Sequence, residues 1–294
     1  QNPDGSWPGE TLRPGQEPRP DWPTALAALA LMEAGMDPHE APLAKALDYL
    51  ADNPTDVTAA LAVRCRLWQQ LQEPLHGLYN PELLSETRLL LRGTADGSYA
   101  DRLDPVNPTE NGDVLNTHWA LRGVAWGQYG GVKVEDAYWR QGLAWLLRSQ
   151  NRNGGWGLGP EKPSAPLPSV AGAATLLLCL DHVGRSREEA LRHGALQLAM
   201  TWVQEHIAED PSDHPLQYLF AASHLGTALG EQDITATPWY LQTRRVLLKH
   251  QTPRGQWATS PGPSAATTAL GVLTLTGPQR RLRASQNGFL QAGP

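Results

Sequence analysis

Phenylalanine is scarce in this chain, two in 294 residues against eleven tryptophans. Cysteine is as rare. Cys65 and Cys179 sit far apart in apolar helical stretches, which reads as two buried thiols and leaves no cysteine set for a disulfide scaffold or a thiolate metal site. No run of ~18 apolar residues occurs, so no transmembrane segment is expected. Basic residues are outnumbered, 24 Lys and Arg against 30 Asp and Glu for a net charge of −6, and form no clustered stripe, which argues against a nucleic-acid partner. What the chain has in excess is punctuation. Gly (28) and Pro (25) exceed ordinary usage, while the hydrophobic fraction stays at 40%. Short helices interrupted at intervals by Gly/Pro loops fit that combination.

The interruptions recur. Gln1-Asn-Pro-Asp-Gly-Ser-Trp7 returns as Gln150-Asn-Arg-Asn-Gly-Gly-Trp156 and as Gln251-Thr-Pro-Arg-Gly-Gln-Trp257. Gly93-Thr-Ala-Asp-Gly-Ser-Tyr99 keeps the turn and ends in Tyr. Faded copies at 51–56 and 205–210 fill the gaps, giving a period of about 50 residues, the mark of a helical repeat array. Asp/Asn-Gly supplies a turn with φ > 0, Gln can reach backbone groups at helix ends, and Trp can plug the space between hairpins.

Around each turn the helices are of two kinds. Those before it, as at 134–148 and 239–249, place apolar residues every three or four positions with charges between, so one face is wet. Those after it, as at 24–32, 58–63, 169–178 and 264–275, are Ala-rich and apolar almost all round, so they are buried on all sides. They are expected to open on a capping Ser, Thr or Asp and to stop at Gly35, Gly130, Gly184, Gly230 and Gly277. Alternating inner and outer helices at a fixed period describe an all-α fold, an α/α toroid of about six hairpins in two concentric rings, with residues 1–294 as a single domain.

The Gln…Gly-Trp unit resembles the repeat of squalene–hopene cyclases and of protein prenyltransferases, over essentially the whole chain. The stretch from Gly112 through Trp156 looks most like uncharacterised bacterial squalene-cyclase-like repeat proteins. The resemblance implies a terpenoid cyclase/protein prenyltransferase-like toroid with a central cavity for a hydrophobic, isoprenoid-like ligand. It does not carry the chemistry across. The Asp-x-Asp-Asp acid of a class II cyclase is absent, since the nearest segment, Asp113-Val-Leu-Asn116-Thr117, has Leu115 and Asn116 in place of the last two acids. In the prenyltransferase alignment of the same segment, Asn116 stands where a zinc histidine belongs. His118 lies roughly 200° further round the helix, and no Asp-x-Cys motif exists. No metal and no cofactor are therefore expected, and zinc has no supporting ligand set.

If the inner helices run parallel, their N-termini gather at one mouth, where their dipoles favour an anion. Asp113 and Asn116, three apart on one helical face, and His118 beside them are the candidate catalytic residues. Arg64, Arg66, Arg122 and His224 interrupt inner apolar runs, and a guanidinium in such a place needs a carboxylate or an anionic ligand. One reading is an Arg–Asp bridge using Asp56 or Asp113. The other is a head group held by Arg64 and Arg122, with Trp22, Trp119 and His224 lining the ligand site.

The partner is then a hydrophobic small molecule. The competing partner is a protein, with the toroid as an interaction module; a chain opening directly on a turn and ending in a polar stretch favours a piece of a longer polypeptide. A carbohydrate-active barrel is the third reading and needs facing acids, for example Asp101 or Glu110 with Asp113.

Overall fold

The computed structural model describes residues 1–9, 18–110, 112–206, 215–229, 245–259 and 262–276. In chain order its helices are α1 (Asp21–Glu33), α2 (Ala41–Asp52), α3 (Thr58–Gln70), α4 (Asn80–Arg92), α5 (Val114–Tyr129) and α6 (Asp136–Ser149). There follow α7 (Pro166–His182), the short α8 (Arg187–Leu191), α9 (Gly194–Glu205), α10 (Pro215–Leu229), α11 (245–250) and α12 (265–276). Helices α1, α3, α5 and α7 are buried on nearly every face. Helix α2 buries a single stripe, Leu43, Ala46, Leu47 and Leu50, and α4, α6 and α9 do the same. The inner helices pack in chain order, α1 on α3, α3 on α5, α5 on α7 and α7 on α10. Outside them α2 backs α1, α4 backs α3 and α5, and α6 and α9 back α7. This is the α/α toroid that the two helix types imply. A two-residue antiparallel ladder, Ala258–Thr259 with Gly262–Pro263, is the only strand pair among the described residues.

Small residues set the inner spacing. A Cβ at Gly123 would lie 2.7 Å from the Ala62 Cα, so α5 reaches the α3 backbone only because both positions are small.

The repeated turns bolt one hairpin to the next. Gly5, Gly97 and Gly154 all have φ near +90°, and each lies against a backbone carbonyl of the following outer helix, Lys45, Gln141 and Leu198 respectively. Gln1 donates to Gly5 O inside its own turn and to Pro42 O of α2. Gln150 repeats this with Gly154 O and Ala195 O of α9. The closing aromatic faces the other way. Trp156 Nε1 donates to Leu146 O of the preceding outer helix, Trp257 Nε1 to Leu247 O, and Tyr99 Oη to Leu90 O. The indoles of Trp156 and Trp257 lie on Gly172 and Gly271 of the following inner helices. Trp thus plugs the gap between hairpins.

Two expectations are corrected. Thr24, Thr58 and Ser169 are not N-caps, and α1, α3 and α7 have no side-chain cap at all. Thr24, Thr117, Ser169 and Thr268 instead accept the backbone N–H of Trp7, Tyr99, Trp156 and Trp257. Asp113, opening α5, and Ser264, opening α12, cap as expected, Ser264 Oγ accepting from Thr267 N at 3.1 Å. Of the stop glycines, Gly35 and Gly184 are left-handed, but at the end of α5 the left-handed residue is Gly131 and not Gly130. Gly230, Gly277, much of 239–249 and the end of the faded copy at 205–210 lie outside the described residues.

Candidate functional site

Three inner helices meet at the ring axis through aromatic side chains. Trp22 of α1 meets Trp119 of α5 edge-on at 5.1 Å, and Trp119 stacks on Phe220 of α10 at 5.3 Å. Phe220 packs against His224 at 4.2 Å. Since α1, α5 and α10 do not follow one another in the packing order of the inner helices, these contacts reach across the ring. Phe220 was not flagged from sequence; its spacing of four from His224 on an inner helix was the available signal.

Beside this layer the histidines form a relay with a defined direction. Thr175 donates its hydroxyl proton to Ala171 O at 2.6 Å, so its oxygen accepts from His118 Nδ1 at 2.8 Å. His118 Nε2 is then an acceptor, and His224 Nδ1–H donates to it at 3.1 Å. Burial, and after it the positive charge of Arg122 one turn on, hold the His118 pKa well below the ordinary histidine value, so the ring is neutral.

A cleft of about 260 Å³ lies one turn further along, between α5, α7, α8 and α10. Its apolar wall includes Ala125, Ala174, Leu177, Leu178, Ala190 and Ala228, with Trp126 and Tyr129 on the α5 side. Among the described residues its ionisable groups are Arg122, Tyr129, Asp181, Arg187 and His224. It sits at the C-terminal ends of the inner helices. The dipole argument pointed to the N-terminal mouth; at this cleft the arginines, not the helix ends, supply positive charge. Trp126 and Tyr129 follow Arg122 at helical spacing and were legible as one stripe. Arg187 was not flagged; the Ser186-x-x-Glu189 capping box that opens the short α8 was the available signal.

The other flagged residues stand elsewhere. Asp113 Oδ1 accepts from Asn116 N at 2.8 Å and Oδ2 from Asn116 Nδ2 at 2.7 Å, so the two close the N-terminus of α5 on each other. Arg64 is buried between α3 and α4, ion-paired with Glu86 and donating to Asn53 O, so its partner is a glutamate of the outer helix rather than Asp56 or Asp113. Burial raises Glu86 to about 7 against the pull of Arg64. Asp56 is taken by Arg19 and Arg102. Arg66 pairs with Glu33 at 2.5 Å and lies over the Trp126 ring. Cys65 and Cys179 are buried thiols, held protonated by burial. Among the described residues no three His, Cys, Asp or Glu side chains converge as metal ligands, and no helix is long and apolar enough to cross a membrane. Of the candidate residues, then, Trp22, His118, Trp119, Arg122 and His224 come together, while Arg64, Asp113 and Asn116 do not join them.

No family model matches the sequence, and no curated protein matches it. Solved structures do. A type II terpene cyclase, MstE from Scytonema, in complex with geranylgeranyl dihydroxybenzoate, is similar at a TM-score of 0.59 and 14% identity over 95% of this chain and 93% of that one. An alpha-1,6-mannanase from Salegentibacter is similar at 0.60 and 10%, over 95% and 94%. A protein from Actinoplanes matches at 0.58 and 17%, over 95% of both chains. The likeness is one of fold. Terpene cyclase and glycoside hydrolase toroids resemble this chain equally, so the choice between them falls to the site.

Proposed function

We propose that this toroid binds a hydrophobic, isoprenoid-like small molecule in the cleft between α5, α7, α8 and α10. The observation that carries the reading is the wall itself: alanine and leucine side chains from four helices, with a few polar groups among them, the usual make-up of a small-molecule site. The volume, about 260 Å³, suits a short ligand or part of a longer one. Arg122 and His224 would touch the ligand, and His118, Trp119 and Trp22 would form the floor. Asp113 and Asn116, in this reading, hold the start of α5, and Arg64 braces α3 against α4. The terpene-cyclase neighbour supports the reading, since its ligand is a prenylated aromatic. The mannanase neighbour supports the glycan alternative. That alternative needs two facing carboxyl groups, and Asp181 is the one carboxylate among the described residues of this cleft.

Trp126 in the cleft wall reports binding directly. Titration with geraniol is expected to change tryptophan fluorescence saturably, and Ala228→Phe, which fills the cleft from a partly buried position, is expected to abolish the change. Binding of a mannooligosaccharide with no response to the prenyl alcohol would overturn the proposal in favour of the glycan reading.

A further inference from the structure

We infer that α8 is a gate: its Arg187 end lifts off α10 to admit a ligand to the cleft and closes again behind it. The gate rests on the reading of this cleft as a ligand site and accounts for how that site is entered. Three walls of the cleft, α5, α7 and α10, are inner helices packed in order round the ring, α5 on α7 and α7 on α10. The fourth is α8, which contributes Arg187 and Ala190. The links that join α1 to α2, α3 to α4 and α5 to α6, residues 34–40, 71–79 and 130–135, carry no helix. The corresponding link from α7 to α9, residues 183–193, is the longest of the four, and α8 is folded into it.

The way α8 is held makes one end a hinge and the other a latch. Gly184 is left-handed with nothing within 4 Å of its would-be Cβ, and the N–H groups of Gly184 and Arg185 bond back to Asp181 O and Leu180 O. Those bonds finish α7, so α8 starts as a separate unit. At its far end Leu191 O accepts from Gln197 Nε2 at 2.5 Å, which anchors the C-terminus of α8 to the outer helix α9. At its near end Arg187 Nη1 donates to Ala228 O, in the last turn of α10, at 2.6 Å. The latch is thus a single hydrogen bond from an exposed guanidinium to the negative end of a helix, and water can take its place when it breaks.

Little else holds α8 shut. Its five residues are far fewer than a helix needs to be stable alone. Its own supports are the Ser186–Glu189 capping box and two exposed ion pairs, Arg185 with Glu189 at 3.9 Å and Arg192 with Glu188 at 2.6 Å. Exposed pairs of this kind contribute little. Ala190 is its one buried residue, and the half-buried Leu191 stands at the anchored end, so lifting the Arg187 end uncovers almost no apolar surface. A segment with so few buried contacts opens far more often than the ring beneath it, and a wall that opens locally is a lid.

Hydrogen exchange tests the gate without any ligand. In the whole protein the amides of Ala190, Arg192 and His193, whose bonds to Ser186 O, Glu188 O and Ala190 O hold α8 together, should exchange far faster than those in the middle of α7. Arg187→Met keeps the stem and loses the donor; it should speed exchange in α8 about tenfold and leave α7 unchanged, which also confirms that the variant folds. Rapid mixing with geraniol, read by tryptophan fluorescence, tests the passage. Ser186→Ala removes the capping box from an exposed position away from the cleft wall. It should speed association and dissociation alike, by about fivefold, and leave the affinity unchanged, because a gate alters the path and not the bound contacts. Exchange in α8 as slow as in α7 would overturn the gate and leave the ligand site standing. Faster dissociation with association unchanged would overturn it too, since that is the mark of a lost wall contact. Rapid exchange in α8 with no binding of geraniol would remove the underlying proposal, and the gate with it.

Discussion

At the scale of single residues, the positions that matter most are those where a side chain is missing. Gly172 lies under Trp156, and a Cβ there would come within 2.6 Å of the indole. Trp156 is fully buried and held by its bond to Leu146 O, so it cannot move aside. Gly172→Ala is expected to cost about 1–3 kcal/mol through overpacking. Gly35 is the contrast, left-handed but with nothing within 4 Å of its would-be Cβ. Gly35→Ala should cost only the backbone strain, about 1 kcal/mol. Urea denaturation of both variants checks the order, and a harmless Gly172→Ala would show that the tryptophan seat is loose. His118 makes a second expectation at this scale. Its folded pKa lies below the unfolded value near ~6.5, so as pH falls below that value the unfolded chain takes a proton that the native ring refuses. Stability conferred by the neutral ring is full above about pH 6.5 and declines as pH drops toward the folded value. Glu86 acts in the opposite sense. Its folded pKa of about 7 lies above the ordinary 4.5, so the native state holds the extra proton between them and loses that advantage as pH rises. The difference between wild type and His118→Gln cancels the glutamate. Between pH 7 and 5 wild type should lose stability relative to the variant, by at most ~1.4 kcal/mol per pH unit. Parallel pH profiles in denaturant would refute the assignment of a neutral His118.

At the scale of elements, the division into inner and outer helices was legible because it is written in local periodicity. An all-apolar stretch such as 169–178 and a striped one such as 134–148 differ within a single window of sequence. The pairings between helices were not legible, because they depend on which side chains end up opposite one another. Arg64 showed that it needed a carboxylate, but its sequence neighbourhood offered Asp56, and the fold supplied Glu86 from α4, with Trp68 Nε1 donating to the same carboxyl group at 2.9 Å. Thr24 and Ser169, misread as caps, fail for the same reason: their partner is an N–H of the preceding turn, 17 and 13 residues away in sequence. The buried pair gives its own test. Glu86→Ala should cost about 3–5 kcal/mol, because it strands a buried guanidinium, whereas Arg64→Met with Glu86→Leu should be close to neutral. Thermal melts of both variants decide; a double variant as unstable as the single one would mean that the pair holds α3 to α4 by more than charge compensation.

At the scale of the whole molecule, the ring axis is the deciding feature. The sequence placed Trp22, Trp119, His118 and His224 at the centre, because each stands on an inner helix. It could not say whether they would line an open bore or close it. Among the described residues they reach across it: Trp119 contacts both Trp22 of α1 and Phe220 of α10. The layer lies one turn N-terminal to the cleft on both α5 and α10, so a ligand entering from the C-terminal mouth would meet it as a floor. This also accounts for a cleft of only about 260 Å³ in a toroid of this size. Trp119→Ala should therefore do two things together. It should destabilise the fold by less than the ~3–5 kcal/mol of a fully buried tryptophan, since Trp119 is only half-buried. It should also join the cleft to the space above, so that farnesol, with one more prenyl unit than geraniol, gains affinity relative to the shorter alcohol. Calorimetric titration of both alcohols into wild type and variant measures the ratio. A ratio unchanged by the substitution would mean that the ligand lies elsewhere than against this aromatic floor, and the aromatic layer would then be packing alone.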